Sequence, residues 1–307
     1  SSVIDSGSAL DQAANLRTNS VYLPGKALNM LPETLSHKAL SLQPGEARPA
    51  LVCTLQIAGD GAVKSSEFQL ARISVQQKLS YQGVAAFLDR PQSSAEEQEP
   101  TSNQTQDLVD AIDSEAIQDS LNIMQAIAKA RFSYRQEHAL TMPPQADYRF
   151  ELNERGHISE VKQEEKNSGH ALVEEAMLAT NSAAGLFLHQ HKCGIASSHA
   201  GFREDRQSNI ELLIKEIFGE NAKAFADINQ LDNYREIIGH LSKDEALKPV
   251  LGALKRLLHP GKLSLDHAPH LGLGFQHYAT ITSPLRRYND LLNHRAISAI
   301  LNEQKPV

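Results

Sequence analysis

Basic residues are missing from a long stretch of this sequence. Between Pro91 and Ala128 there is no Lys or Arg, while eight acids stand there: Glu96, Glu97, Glu99, Asp107, Asp110, Asp113, Glu115 and Asp119. The overall net charge of −7 speaks against a nucleic-acid partner until that stretch is set aside; the other 269 residues then carry +1. Global charge therefore neither supports nor excludes a polyanion, and only a local cluster can decide. Cysteine is scarce: Cys53 and Cys193 lie far apart with no Cys-x-x-Cys, which excludes a disulfide framework and a cysteine-rich zinc site. No uncharged run reaches the roughly 18 apolar residues of a membrane-spanning helix. Also absent are a Gly-x-x-x-x-Gly-Lys-Ser/Thr loop, a Gly-x-Ser-x-Gly elbow and a His-Glu-x-x-His helix, which removes the chemistries those motifs serve. No tight cluster of aspartates suited to a pair of Mg2+ ions is visible. The chain opens Ser-Ser-Val with neither methionine nor signal peptide, as expected of a start inside a longer protein.

What is present reads as a folded α+β chain. Hydrophobic residues make 41% and charged residues 22% of 307 positions, enough for a packed core in one large domain or two ordinary ones. Ser8-Ala-Leu-Asp11 resembles a capping box and opens a short helix to about Leu16. Val21-Tyr-Leu23 is a short strand stopped by Pro24-Gly25, and Pro32 opens a second short helix. Pro49 to Ile57 and Ala62 to Val75 pair around Gly59-Asp-Gly61, and Tyr81 to Leu88 forms a helical turn or two. The polar residues 89–104 read as an exposed loop, followed by a long helix from about Thr105 to Arg135 with Leu108, Ile112, Leu121, Met124 and Ile127 at roughly helical spacing. Asp147 to Leu152 and His157 to Lys162 form another hairpin. Ser168 is placed to cap a helix reaching Lys192, and Gly194 stops it. Three helical stretches fill 206–258. A β-like run, Leu271 to Thr282, feeds a helix opening at Ser283-Pro284. Hairpins and helices in mixed order, with no βαβ rhythm, give the class α+β.

The most informative segment is Thr282-Ser-Pro-Leu-Arg-Arg-Tyr288. With Ser283 as cap and Pro284 as first helical residue, Arg286 and Arg287 fall in the first turn, where the helix dipole disfavours cations. Such a local cost points to an anion: guanidinium forks match a phosphate. The alternative is that one arginine pairs with a buried carboxylate such as Asp290. Tyr22, beside a rigid turn, suits stacking on a base or half-burial in a core, and Tyr81 has the same two readings. In Ala171-Leu-Val-Glu-Glu-Ala-Met177 at most one of Glu174 and Glu175 faces inward. That carboxylate would accept from a ribose hydroxyl or pair with an arginine; otherwise both lie on a solvated face. His189-Gln-His-Lys-Cys193 has the residue types of a metal site but not one shared face, and cationic residues closing a helix explain it as well. His267, His270, His277 and His294 show no ligand spacing.

These segments together resemble the catalytic (RNB) domain of the ribonuclease II family. The matching runs are Gly7-Ser-Ala-Leu-Asp11, Val21-Tyr-Leu-Pro-Gly25, Met30-Leu-Pro32, Arg48-Pro-Ala-Leu51, Asp147-Tyr-Arg-Phe150, Leu172-Val-Glu-Glu-Ala-Met177, Ser198-His199, and Thr282 to Tyr288 with Asp290-Leu291 and His294-Arg295. They occur in family order over most of the chain, and the exoribonuclease II branch is the more similar. The resemblance implies a partial catalytic domain over 1–307, with cold-shock and S1 RNA-binding domains outside it. It implies Mg2+-dependent, processive 3′→5′ hydrolysis of single-stranded RNA to nucleoside 5′-monophosphates, in a monomeric cytoplasmic enzyme. Its alternative is an RNA-binding remnant that has lost the chemistry. By position, Arg286 resembles the arginine at the scissile phosphate, Tyr22 the tyrosine stacked near the 3′ end, and Tyr81 and Glu174 residues that contact nucleotides. Arg287 joins them as a second phosphate contact. Met142 stands where ribonuclease II clamps the terminal bases with a phenylalanine, and methionine packs on a base less rigidly. The metal-binding aspartates of the family are expected before Ser1.

Overall fold

The computed structural model describes residues 3–90, 112, 114–140 and 147–306. In chain order the elements are α1 (Ala9–Arg17), β1 (Val21–Leu23), β2 (Lys26–Leu28), a short π-helix (Thr34–Ala39), β3 (Ala47–Ile57), β4 (Val63–Ser74), α2 (Tyr81–Leu88), α3 (Glu115–His138), β5 (Asp147–Leu152), β6 (Ile158–Glu164), α4 (Ser168–Gln190), β7 (Ala196–Ser198), α5 (Gln207–Phe218), α6 (Leu231–Lys243), α7 (Lys248–Lys255), β8 (Lys262–Ser264) and α8 (Tyr288–Leu301). The class is α+β. Its strands form four separate two-stranded antiparallel ribbons, β1–β2, β3–β4, β5–β6 and β7–β8, rather than one larger sheet.

Two compact units emerge. The first comprises Ser1–Phe132, Pro144–Ala179 and Pro284–Tyr288. Ser8 caps α1 by accepting from the Asp11 N–H at 3.2 Å, as its sequence demands. The β3–β4 ribbon turns at Gly59-Asp-Gly61, where the Asp60 carboxylate accepts from the Ala62 N–H at 2.9 Å. Gly61 has φ +90, and a Cβ there would stand 2.2 Å from the carbonyl oxygen of Ala130 in α3. The Gly61 carbonyl also accepts from the guanidinium of the buried Arg131 at 2.6 Å. Gly61→Ala therefore meets both a strained backbone and a backbone clash. It is expected to lower unfolding stability by about 2 kcal/mol, read from urea midpoints; an unchanged midpoint would show that the crossing is not tight. Val84, Ile112 and Leu121 form a small core here, with Leu79, Phe87 and Leu88 against it.

The second unit comprises Ser133–Pro143, Thr180–Ser283 and Asn289–Val307. Its core is built by the helices α5 to α7. Ile210 and Ile214 recur four apart, Tyr234, Ile237, Ile238 and Leu241 follow the i, i+3, i+4, i+7 pattern, and Leu251 and Leu254 close the cluster around Phe202. Each is an amphipathic helix burying one stripe, and each fully buried large side chain contributes roughly 1.5–3 kcal/mol.

Several sequence expectations need correction. Within the described residues the long helix begins at Glu115, where the Ser114 carbonyl takes the N–H groups of Ile117 and Gln118; Ile112 is buried but not helical. Leu108 and residues 91–104 of the expected loop lie outside the described residues. The short helix expected at Pro32 is present as a π-helix, Thr34–Ala39, with Ser36 N–H donating to the Pro32 carbonyl and Leu40 N–H to the Leu35 carbonyl. Asn167, not Ser168, caps α4, its side-chain oxygen accepting from the His170 N–H at 3.1 Å. The run from Leu271 to Thr282 is not a strand. Gly274 adopts φ +68, and a Cβ there would meet Leu140 N at 2.8 Å, so the chain curls into a tight turn at Leu271–Leu273. The β7 partner is supplied by Lys262–Ser264. Finally, the last helix opens at Tyr288, five residues later than Ser283.

Candidate functional site

That last shift changes the argument about the arginines. Asp290, fully buried in the first turn of α8, accepts from the Ser283 N–H at 2.8 Å and the Thr280 hydroxyl at 2.7 Å. Ser283 is thus held as a donor and does not cap a helix, and Pro284 to Arg286 form a turn. Arg286 and Arg287 precede the helix, so the dipole cost expected for them does not arise.

The turn is instead laced to the segment that follows α1. Ser20 N–H donates to the Arg286 carbonyl at 2.9 Å, and Tyr288 N–H donates to the Thr18 carbonyl at 2.8 Å. Between them Asn19 and Arg287 form an antiparallel bridge. The Tyr288 hydroxyl donates to Asp11 Oδ1 at 3.0 Å. Asp11 is buried, and its other oxygen accepts from the Gly7 N–H at 2.8 Å. Sequence reasoning singled out Asp11 only as a helix start and missed Tyr288. Their signal was present in Gly7-Ser-Ala-Leu-Asp11, since a carboxylate near a helix start has two oxygens and can bind two donors.

On this locked backbone the side chain of Arg286 is exposed, and no hydrogen bond or ion pair among the described residues engages it. Two residues beyond Ser20 stands Tyr22, on β1, paired with Ala27 of β2. Gly25, at φ +72, makes the intervening turn, and Tyr22 is 62% exposed, which removes the reading of a core tyrosine. The arginine turn and the tyrosine ribbon thus share one stretch of backbone, Thr18 to Ser20. Against the ribbon lies an open cleft of about 480 Å³, lined by Arg17, Asn19, Val21, Leu28, Asn29 and Glu33 among others.

Tyr81 and Glu174 come together elsewhere in the same unit. Tyr81 opens α2, whose N-cap Ser80 accepts from the Gly83 N–H at 3.0 Å. Its ring stacks on His170, with centroids 4.0 Å apart and planes 16° from parallel. Glu174 follows His170 by four residues on α4, and its carboxylate pairs with Lys166 at 3.1 Å on the surface. Glu175 is the carboxylate of the pair that turns inward, at 4% exposure. Met142 lies outside the described residues.

Several described histidines of the second unit stack on a ring or bond the backbone, while His259 pairs with Glu204 at 2.9 Å and His294 Nε2 lies 2.7 Å from the Ile281 carbonyl. His189 stacks on His277 at 4.3 Å and tilts against His267 at 5.7 Å; burial first, then the neighbouring imidazoles, lowers the pKa of His267 and His277. His191 Nδ1 bonds the Phe187 carbonyl at 2.8 Å. His199 stacks on His270. Nδ1 of His199 accepts from the Gly201 N–H at 3.1 Å, and Nδ1 of His270 from the Leu273 N–H at 3.2 Å. Each of these two rings therefore holds a lone pair toward a backbone donor. Burial lowers both pKa values, that of His270 to about 4. Among the described residues no three His, Cys, Asp or Glu side chains are placed to hold a metal ion, and no described helix is long and apolar enough to cross a membrane.

Comparison with known proteins adds to this geometry. The sequence profile of the RNB domain matches residues 1–303. Exoribonuclease 2 of Haemophilus influenzae (strain PittGG) is 32% identical over 307 residues, covering 97% of this chain and 44% of the relative; the chain spans less than half of that protein. Among solved structures, Mycoplasma genitalium RNase R in complex with ribose-methylated single-stranded RNA is similar at a TM-score of 0.76 and 20% identity, over 98% of this chain and 44% of the other. Yeast Ssd1, a pseudonuclease, is similar at a TM-score of 0.67 and 20% identity, over 98% and 35%.

Proposed function

Because the chain belongs to the RNB-domain family, we propose that residues 1–307 are part of the catalytic domain of a 3′→5′ exoribonuclease that degrades single-stranded RNA to nucleoside 5′-monophosphates. The observation that carries the proposal is the guanidinium of Arg286, exposed and unengaged among the described residues, on a turn laced to the strand of the exposed Tyr22. A terminal phosphodiester and its base call for a cation and an exposed aromatic ring, and here the two stand on backbone segments hydrogen-bonded to each other. In this reading the Arg286 fork binds the scissile phosphate and strengthens its grip as negative charge builds on the phosphoryl oxygens. Tyr22 stacks on a base near the 3′ end, Tyr81 and Glu174 hold nucleotides further along, Arg287 adds a phosphate contact and Met142 takes the clamping position. We place the protein in the cytoplasm as a monomer. Mg2+ is expected from the family, but the described residues offer it no ligand cluster. What this chain's own side chains supply is binding, orientation and charge stabilisation.

The test is direct. The intact protein to which residues 1–307 belong, given a 5′-labelled single-stranded RNA and Mg2+, should release nucleoside 5′-monophosphates and leave a short labelled remnant with few intermediates; residues 1–307 alone are expected to release none, because their described residues offer Mg2+ no ligand cluster. Binding without release would favour the non-catalytic reading. Tyr22→Ala removes one stacking platform, worth roughly 1–3 kcal/mol. It should lengthen the final remnant on a denaturing gel; an unchanged remnant would remove Tyr22 from the RNA path.

A further inference from the structure

The contact between α2 and the start of α4 has features that neither core packing nor the proposed roles of Tyr81 and Glu174 explain. Three consecutive residues of α4 address α2. The Ser168 hydroxyl donates to the Asp89 carboxylate at 3.0 Å, just past the end of α2. Gly169 sits so close to the other end that a Cβ would stand 2.8 Å from the Tyr81 carbonyl oxygen. His170 lays its ring on that of Tyr81. The imidazole is itself held: its Nδ1 lies 2.8 Å from the side-chain oxygen of Asn167, which also accepts from the His170 N–H at 3.1 Å. The Asn167 backbone N–H also points at this nitrogen, at 3.4 Å, so Asn167 holds the ring whichever ring nitrogen carries the proton.

Tyr81 is nevertheless 43% exposed, and His170 is only partly buried. A pair formed to fill a core would not leave its tyrosine in solvent. One face of the Tyr81 ring is covered by His170 and the ring remains accessible. An exposed aromatic side chain swings between rotamers at small cost, and a swinging ring makes a poor platform. We propose that His170 is a positioning residue for RNA: it backs the Tyr81 ring so that the accessible side of Tyr81 stacks on a base, giving a stack of imidazole, phenol and base. The role rests on the exoribonuclease reading of Tyr81 and deepens it. Glu174 lies one helical turn beyond His170 on the same side of α4, so the base platform and a carboxylate able to accept from a ribose hydroxyl occupy neighbouring positions.

The experiment compares His170→Ala, His170→Phe and Tyr81→Ala by fluorescence anisotropy with a labelled oligoadenylate in EDTA, where hydrolysis is halted, and by steady-state turnover with Mg2+. His170→Ala should weaken RNA binding and raise KM by roughly three- to tenfold, the scale of one aromatic pair, while kcat stays within about twofold of the parent. His170→Phe, which keeps a ring but loses the Asn167 bond, should restore binding to within about twofold of the parent; a purely structural histidine would not be rescued in this way. The proposal is overturned by parental affinity in His170→Ala when Tyr81→Ala binds weakly, or by a folded His170→Phe as weak as His170→Ala. Parental binding by Tyr81→Ala would overturn it from below, by removing Tyr81 from the interface. Absence of hydrolysis in every protein, with the binding pattern as expected, would count against the exoribonuclease reading alone.

Discussion

Replacing Arg286 by Ala is expected to lower turnover on single-stranded RNA by roughly 10²–10³, the scale of losing one transition-state donor, with RNA affinity changed far less. The asymmetry follows from where the residue sits. Its backbone carbonyl is held by Ser20, its neighbour Arg287 bridges Asn19, and Tyr288 is tied to Asp11. The substitution therefore leaves the turn intact and removes only a side chain that nothing among the described residues engages. Many contacts along an RNA strand share the binding energy, whereas charge accumulates at one phosphoryl group. Arg286→Lys should recover little of the loss, because an ammonium keeps the charge but not the two-pronged geometry. The measurement is single-turnover release of mononucleotides with enzyme in excess of RNA and well above the dissociation constant. A parallel loss of affinity and rate would instead make Arg286 a general phosphate contact.

The second large effect is on stability. The pKa of His270 is lowered from the usual histidine range to about 4, chiefly by burial and then by the neighbouring His199. The folded state thus holds His270 neutral while the unfolded chain protonates near pH 6.5. Stability contributed by this group is complete above that pH, falls as pH drops from 6.5 toward 4, and changes little further below. Between about pH 7 and about pH 4.5 the loss from His270 alone is about 2–3 kcal/mol. Beside this burial, the Leu273 N–H is aimed at the ring's Nδ1 at 3.2 Å, so a proton there would set donor against donor. Urea unfolding at the two pH values should show a smaller drop in His270→Gln than in the parent by about 2 kcal/mol. Equal drops would mean that the ring is protonated without cost in the folded state.

Local rules were legible in the sequence where they act alone. The Ser8 cap, the Pro24-Gly25 turn, the Gly59-Asp-Gly61 hairpin and the α5–α7 stripes all follow from residues close together in the chain. What escaped was governed by distant partners. Ser283-Pro284 has every mark of a helix start, yet Asp290 draws the Ser283 N–H to itself and the helix waits until Tyr288. Leu271 to Thr282 has strand-like composition, but Gly274 must pass against the backbone of Leu140. For the site, residue types pointed at Tyr22 and Arg286 without any means of showing that they share the Thr18–Ser20 backbone. The Glu174-Glu175 doublet could not be divided before α4 had neighbours to bury Glu175. His170 carried no signal of its own, because nothing local says that a histidine three residues after Asn167 will meet a ring from another helix.

The Thr18–Ser20 link makes the arginine turn and the tyrosine ribbon two jaws of one caliper. Main-chain bonds define the gauge between the jaws, so exchanging a side chain at either jaw alters grip and leaves the gauge as it was. Only adding or removing a residue between Ser20 and Tyr22 would reset it, and such a change also turns the tyrosine to the opposite face of its strand. Under the proposed function, losing the tyrosine jaw altogether lengthens the RNA left uncut, whereas substitutions elsewhere around the linker leave that length as it was.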